Sequence, residues 1–177
     1  MVTLNQSMLT AARDLLALCK TRGLKIATAE SCTGGLLVAD LTEIPGSSEV
    51  VDRGFVTYSN QAKHEMLGVP KRTLEKYGAV SRGTSLAMAK GALAHSLADI
   101  TVAITGIAGP GGGSKQKPVG LVHIAAARSG ARLHRECRFG DIGRAKVREK
   151  SALEALVMMR DIVMTVKSKT KSAKRKK

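Results

Sequence analysis

The chain has 177 residues and a formal net charge of +15, and 44% of its residues are hydrophobic although only 2% are aromatic. This length fits one domain whose core consists of aliphatic and small side chains. The scarcity of aromatic residues counts against a protein that binds nucleic acid by stacking bases on aromatic rings. Because the sequence contains no run of about 18 apolar residues, we expect neither a membrane span nor a membrane partner.

The positive charge is concentrated at the C-terminus. Seven of the last eleven residues are Lys or Arg and none is acidic, so that a net charge of +8 remains on residues 1–166. Such a run is typical of a disordered, solvated extension with weak and nonspecific affinity for polyanions. We therefore predict one folded domain over residues 1–166 and a Lys-rich tail over residues 167–177.

The three cysteines are odd in number and none of them belongs to a CxxC pair. This pattern is typical of a reducing compartment and predicts neither a disulfide framework nor a zinc site. The N-terminal segment has no positively charged region followed by an apolar stretch, so we expect a cytoplasmic protein.

Helix and strand patterns alternate through the first third of the sequence. Apolar residues recur at helical spacing over about residues 5–22, and a short apolar strand follows over residues 24–28. A second helix is predicted over about residues 34–42 and a second strand over residues 50–58. This order of helix, strand, helix and strand is typical of an α/β protein.

The later segments continue this alternation and add a hairpin. Asn60 is the predicted N-cap of a short helix that ends at Leu67, and a longer helix is predicted over about residues 83–97. The apolar run over residues 99–104 predicts a buried parallel strand. A hairpin over residues 119–139 and a final helix over about residues 142–166 follow. Together these elements predict a three-layer α/β/α sandwich with a mixed, mainly parallel sheet.

Two glycine-rich loops follow predicted strands, at the positions where open α/β sheets bind ligands. The first is "TAESCTGG" over residues 28–35, and the second spans residues 105–114. The second loop fits neither GxxxxGK[ST] nor GxGxxG, which argues against an ATPase and against a dinucleotide-binding dehydrogenase. Its backbone N–H groups remain suited to a single phosphate, and a plain flexible turn is the alternative.

Ser31 lies in the first loop, just before the predicted helix, where free N–H groups and the helix dipole favour negative charge. A serine at this position is most often an N-cap, and it becomes a candidate nucleophile only where a base reaches it. The four histidines have no evident orienting carboxylate, so we expect them in the core or on the surface. Cys32 is the alternative nucleophile, although a free cysteine here is expected to be buried.

Lys63 is the better candidate for the base. It lies in the first turn of the helix after Asn60, where a cation opposes the helix macrodipole. A lysine that is also desolvated has its pKa lowered, as a neutral amine base requires. Tyr58, at the end of the preceding strand, is a candidate to relay or orient a proton.

Four segments carry a family resemblance: "TAESCTGGLL", "YSNQAKHEMLGV", "GAVS" and "TGIAGPGGGSKQKPVGLVHIA". Their order and content resemble the CinA C-terminal domain family, the nicotinamide-nucleotide amidohydrolases, over about residues 4–166. The resemblance implies hydrolysis of the carboxamide of nicotinamide mononucleotide to nicotinate mononucleotide and ammonia, within pyridine-nucleotide salvage. It implies no metal and no cofactor, and we expect a homo-oligomer.

The resemblance also implies the residues of the site. Ser31 would be the nucleophile, Lys63 the base and Tyr58 an assisting group. The two glycine loops would line the substrate and offer N–H donors to an oxyanion or to the phosphate. The substrate-binding residues expected on this basis are Glu30, Thr33, Gly34, Gly35, Asn60, Thr105, Gly106, Gly109, Gly111 and Gly112.

The sequence departs from the family pattern at two places. Arg82 follows "GAVS" where the family commonly has an acidic residue. A longer stretch replaces the family's "GDR", so that Arg144 or Arg148 would take the place of its arginine. The alternative function is a non-catalytic module that binds phosphorylated ligands or nucleic acid through its anion-binding loops and basic charge.

Overall fold

Residues 6–165 are described by the computed structural model, and they contain six α-helices, one short 3₁₀ turn and five strands. The helices are α1 (Gln6–Arg22), α2 (Leu36–Thr42), α3 (Asn60–Leu67), α4 (Lys71–Tyr77), α5 (Arg82–Ala94) and α6 (Arg144–Met164). The strands are β1 (Ile26–Glu30), β2 (Val51–Val56), β3 (Ile100–Gly106), β4 (Leu121–Arg128) and β5 (Ala131–Arg138). The predicted Lys-rich tail over residues 167–177 lies outside the described residues.

The five strands form one mixed sheet in the order β2-β1-β3-β4-β5. β1 pairs in parallel with both β2 and β3, whereas β4 is antiparallel to β3 and to β5. Four of the five strands therefore run in one direction. The carboxyl ends of β1, β2 and β3 lie at the same edge of the sheet, which brings the segments after Glu30, Val56 and Gly106 together.

Helices cover both faces of this sheet. The larger core cluster joins α1, α2 and α6 to one face and includes the buried Leu15, Leu37 and Leu156. The smaller cluster joins α3 and α5 to the other face through Leu67 and Met88. All five positions of β1 are buried, as expected of a strand that is covered on both faces. The predicted three-layer α/β/α sandwich with a mixed sheet is confirmed.

The start of α3 differs from the prediction. Ser59, not Asn60, is the N-cap, and its side chain accepts a hydrogen bond from Ala62 N at 3.0 Å. Asn60 is instead the first helical residue and is exposed. The prediction placed the cap one residue late because serine and asparagine are both favourable caps and both occur here.

α3 and α5 pack closely at Gly91. A β-carbon added to Gly91 would lie 1.9 Å from Leu67 O and 2.9 Å from the Leu67 β-carbon. No side chain tolerates such distances, so glycine is required at this position. The contact fixes the C-terminal end of α3 against α5.

The described part of the chain offers no helix that combines the length and the apolar character needed to cross a membrane.

Candidate active site

Ser31 follows β1 directly and lies between the ends of two neighbouring strands. Its backbone N–H donates to Ile104 O of β3 at 2.9 Å, which continues the pairing of β1 with β3 by one residue. On the other side, Thr57 N, just after β2, donates to Glu30 O at 2.8 Å. These bonds hold the backbone around Ser31, which is 8% exposed.

Glu30 is fully buried beneath the first glycine loop. Its carboxylate accepts hydrogen bonds from Gly35 N and Leu37 N at 3.1 Å, from Val38 N at 2.9 Å and from Thr28 Oγ1 at 3.3 Å. The N–H donors belong to the start of α2, so the carboxylate satisfies free N–H groups at the positive end of the helix dipole. The Glu30 carboxylate therefore occupies the anion-binding N-terminus of α2. Complete burial does not support the predicted contact of Glu30 with a substrate.

Lys63 reaches from α3 to the side of Ser31. Its amino nitrogen lies 2.9 Å from Ser31 Oγ and donates a second hydrogen bond to Thr57 O at 3.0 Å. Lys63 is only 1% exposed, which is rare for a lysine. Ser59 contributes to its placement, because the Ser59 carbonyl accepts the Lys63 N–H at 3.1 Å in the first turn of the helix.

Burial favours the neutral form of the Lys63 amine. Desolvation lowers the pKa of its amine below the ordinary range of a lysine. A neutral amine accepts a proton, whereas an ammonium cannot, and 2.9 Å is a suitable distance for transfer from the Ser31 hydroxyl. Ser31 and Lys63 thus have the geometry of a nucleophile and its base.

Cys32, the alternative nucleophile, is 6% exposed and belongs to the larger core cluster. Burial raises the pKa of its thiol to about 12. The thiolate is the nucleophilic form of cysteine, and at neutral pH it is scarcely populated under these conditions. The structure therefore favours Ser31 over Cys32.

Tyr58 follows Thr57 in the segment after β2. It is 62% exposed, and its hydroxyl accepts a hydrogen bond from Arg144 Nη2 at 2.8 Å. Arg144 Nη1 donates to Gly109 O at 2.9 Å, so this arginine links the segment after β2 to the second glycine loop. Among residues 6–165, the hydroxyl of Tyr58 has no hydrogen bond to Ser31 or Lys63. Its contacts therefore do not support the predicted proton relay.

The second glycine loop starts at the end of β3, next to the Ser31 backbone. Thr105 is buried, and its hydroxyl donates to the backbone of the α4–α5 connection at 2.8 Å. Gly106 ends β3, whereas Gly111 and Gly112 are exposed farther along the loop. No acceptor within the described residues takes the N–H of Gly111 or of Gly112. These exposed donors are available to a ligand.

Thr33, Gly34 and Gly35 complete the first loop. Thr33 is fully buried, and its carbonyl accepts a hydrogen bond from Arg148 Nη2 at 2.6 Å, which anchors the loop to α6. Gly34 and Gly35 have φ angles of +60° and +94°, which glycine adopts without strain, and they form the turn into α2. These three residues shape the site, but burial leaves the Thr33 side chain without a direct path to a substrate.

Two roles in this arrangement were not predicted from the sequence. Thr57 supplies Lys63 with its second oxygen partner through a backbone carbonyl, which no side-chain pattern reports. Glu30 acts as the acceptor for the start of α2, and its position at the end of a buried apolar strand is the signal that points to this role.

His123 and His134 form a stacked pair on β4 and β5, with His123 Nδ1 3.0 Å from His134 Nε2. Glu136 lies 4.0 Å from His123 Nε2, which is too long for the hydrogen bond by which a carboxylate orients a catalytic histidine. Burial lowers the pKa of both imidazoles. Neither ring has a hydrogen bond to Ser31. Across residues 6–165, no three side chains of the usual ligand types are grouped so as to hold a metal ion.

Comparison with known proteins gives the family. The model of the CinA C-terminal domain matches residues 8–163. A CinA-like protein of Akkermansia muciniphila is 49% identical over 138 residues, which cover 78% of this chain and 33% of that protein. The chain spans about a third of the length of the curated relatives that it matches.

Solved structures extend the similarity to three dimensions. The crystal structure of the competence/damage inducible protein CihA from Agrobacterium tumefaciens is 55% identical, with a TM-score of 0.89 over 92% of this chain and 99% of that one. A competence-damaged protein (CinA) superfamily protein from Escherichia coli is 33% identical, with a TM-score of 0.79 over 91% and 94% of the two chains. The chain belongs to the CinA C-terminal domain family.

Proposed function

We propose that this protein is an amidohydrolase that converts nicotinamide mononucleotide to nicotinate mononucleotide and ammonia. The observation that carries the proposal is the 2.9 Å contact between Ser31 Oγ and the buried amine of Lys63. A serine paired with a desolvated lysine is suited to acyl transfer without a histidine. The choice of substrate rests on the family resemblance of the four sequence segments.

In this proposal the reaction begins with Lys63 in its neutral form. The amine takes the proton of the Ser31 hydroxyl while Ser31 Oγ bonds to the carboxamide carbon. The tetrahedral intermediate collapses when the Lys63 ammonium returns the proton to the leaving nitrogen, so that ammonia departs and an ester remains on Ser31. A water molecule then gives a proton to Lys63 and attacks the ester. Release of nicotinate mononucleotide restores the Ser31 hydroxyl and the neutral amine.

The first loop provides candidates for the oxyanion hole. Within residues 6–165, the N–H groups of Cys32 and Thr33 donate to no backbone acceptor, and that of Cys32 faces only its own thiol, whereas those of Ser31 and Gly34 are engaged. The N–H of the residue after the nucleophile is a usual oxyanion donor in hydrolases that carry the nucleophile on a strand-to-helix turn. We assign this role to Cys32 N.

Arg144 and the second glycine loop are the candidates to bind the phosphate of the substrate. Arg144 brings a guanidinium to this loop, which also carries the exposed N–H groups of Gly111 and Gly112. A guanidinium and free N–H groups are strong phosphate donors. Tyr58 lies beside Arg144, so we assign it to substrate binding rather than to proton transfer.

Ser31→Ala tests the proposal. We expect ammonia release from nicotinamide mononucleotide to fall by at least about 10³-fold, because the nucleophile is removed. Circular dichroism and the melting temperature should match those of the parent protein. Cys32→Ala is the matched control in the neighbouring position and should retain turnover within a few-fold.

Normal turnover by Ser31→Ala would contradict the assignment of the nucleophile, and loss of turnover only in Cys32→Ala would transfer it to the thiol. If the unmodified protein binds nicotinamide mononucleotide with a steep salt dependence but releases no ammonia, the non-catalytic binding module is the correct function.

A further inference from the structure

A groove on the outer side of the helical layer α3–α5 combines an apolar floor with cations at one end. Its volume is about 480 Å³, and its apolar lining includes Leu67, Pro70, Leu86 and Ala87. This volume lies within the range of roughly 300–1,000 Å³ that is usual for small-molecule sites. Neither Ser31 nor Lys63 lines the groove, so it is separate from the candidate active site.

The groove adjoins a second cavity of about 500 Å³ beside the β4–β5 turn. Lys90 of α5 and Arg132 of β5 line both cavities and mark the junction between them. The second cavity adds Arg128 to this cationic end. Among the described residues that line either cavity, none is Asp or Glu.

Lys90 and Arg132 have no partner inside the described chain. Across residues 6–165, neither side chain forms a hydrogen bond, an ion pair or a ring contact. The next arginines along β5 differ, because Arg135 pairs with Glu154 and Arg138 with a glutamate on its own strand. Two unneutralised cations at one junction create a positive potential that attracts an anion.

We propose that this groove binds a small organic anion. Its apolar body, aromatic or aliphatic, lies on the floor that Leu67 and Leu86 line, and its acidic group lies between Lys90 and Arg132. Charge complementarity selects this occupant. A second copy docked by the same face would bring its own Lys90 and Arg132 and no lining Asp or Glu to neutralise them. The proposal does not depend on the proposed amidohydrolase activity.

The test uses 8-anilinonaphthalene-1-sulfonate as the probe, because it joins an aromatic body to a sulfonate and fluoresces when bound. N-phenyl-1-naphthylamine has the same aromatic body without the acidic group. Both are titrated into the full chain and into Lys90→Gln, Arg132→Gln and the double variant. Lys146→Gln, on the exposed side of α6, is the matched control for loss of one charge. Ala87→Trp fills the groove.

We expect one saturable site for the sulfonate and a loss of affinity of at least about tenfold in the double variant, in line with a charge-assisted hydrogen bond. The affinity for the uncharged probe should change less than about twofold in the same variant. Ala87→Trp should weaken the binding of both probes, and Lys146→Gln should weaken the binding of neither. Unchanged sulfonate affinity in the double variant would overturn the proposal. So would sedimentation that shows a dimer, together with probe binding that appears only at protein concentrations where the dimer dissociates.

Discussion

Lys63 is 1% exposed, and desolvation lowers the pKa of its amine. The unfolded chain holds the same amine in water, where its pKa is ordinary, at about 10.4. Between the lowered and the ordinary pKa, the unfolded state binds more protons than the folded state, so stability rises with pH across this window. At neutral pH the residue that the proposed reaction requires therefore destabilises the fold.

Lys63→Met is expected to raise the free energy of unfolding at pH 7 and to abolish ammonia release, because it removes the buried amine but keeps most of the side-chain volume. The gain in stability should shrink as the pH approaches 10.5. Urea unfolding at pH 7 and pH 10 measures both effects, and Lys71→Met, at an exposed lysine of α4, is the control. An equal gain at both pH values, or a loss of stability at pH 7, would contradict the desolvation argument.

Asp40 of α2 is a second buried ionisable group. It is 1% exposed, and neither carboxylate oxygen has a hydrogen-bond partner among the described residues. Burial, followed by the charges of Glu30, Glu149 and Glu43, raises the pKa of Asp40 to about 6. The folded state thus binds this proton more tightly than the unfolded chain, whose aspartate has a pKa of about 3.9. Stability contributed by this group is present at low pH and is lost as the pH rises from about 4 through 6.

Asp40→Asn should therefore stabilise the protein by about 2–3 kcal/mol above pH 7 and by little near pH 4, because asparagine resembles the neutral acid. Thermal unfolding at the two pH values provides the measurement. Asp141→Asn, at an exposed aspartate, should show no such difference. A gain of the same size at pH 4 would mean that the effect does not arise from ionisation.

At the scale of the elements, the start of α2 depends on a residue from another element. The N-cap of α2 is Gly35, which has no side chain to accept a hydrogen bond. The Glu30 carboxylate at the end of β1 supplies the missing acceptors for Leu37 N and Val38 N. Strand and helix are thereby joined around the loop that carries Ser31.

Glu30→Gln replaces one acceptor oxygen by an NH₂ group that faces N–H donors. We expect a loss of about 1–3 kcal/mol, the range for a buried hydrogen-bonding group left without a partner. Relative to the parent protein, Glu30→Gln should speed up amide hydrogen exchange more in α2 than in α1. Ammonia release should fall as the Ser31 loop shifts. Glu43→Gln, an exposed glutamate at the other end of α2, is the control. An equal increase of the exchange rate in α1 and α2 would show that Glu30 does not act locally on α2.

Several elements follow directly from local patterns in the sequence, and others do not. The apolar spacing of α1 and the apolar run of β3 each predict an element with buried residues, as the structure shows. α4 lies in a segment where the sequence predicts no element, since none of its seven residues is buried and no apolar stripe marks it. β1 continues two residues beyond its predicted end because Glu30 finds its partners within the fold.

The candidate site could not be predicted from local sequence patterns alone. Ser31 and Lys63 are 32 residues apart, and they meet because β2 pairs with β1 in parallel, so that the chain returns to the same edge of the sheet. Periodicity reports burial but not which strands are neighbours. Pairing Ser31 with Lys63 therefore rested on the dipole argument together with the family resemblance. The contact of Arg144 with Tyr58 depends on the final helix and left no local signal.

At the scale of the whole molecule, the seam between α3 and α5 controls where Lys63 lies. Gly91 leaves no room for a methyl group beside Leu67 O, and Leu67 is the last residue of the helix that carries Lys63. Any separation of the two helices moves α3 as a unit, because it has only eight residues. The packing of Leu67 against Gly91 of α5 therefore helps to set the position of the Lys63 amine.

Gly91→Ala should destabilise the protein by about 1–3 kcal/mol through overpacking. It should also lower kcat for ammonia release more than it changes KM, because the amine moves relative to Ser31. Gly83→Ala in the same helix is the control, since the nearest atom to its added β-carbon is 3.4 Å away in a side chain. Chemical denaturation and steady-state kinetics on both variants give the comparison. A full kcat in Gly91→Ala would show that the position of the amine does not depend on the seam.

The two arginines that anchor the loops belong to α6, which follows every strand in the chain. During synthesis, β1 to β3 and α3 leave the ribosome well before Arg144 and Arg148. A nascent chain therefore holds Ser31 and Lys63 before it has the residues that tie Thr33 and Gly109 in place. Under the proposed function, the two loops around Ser31 and Lys63 therefore acquire these anchors only when α6 has folded against them.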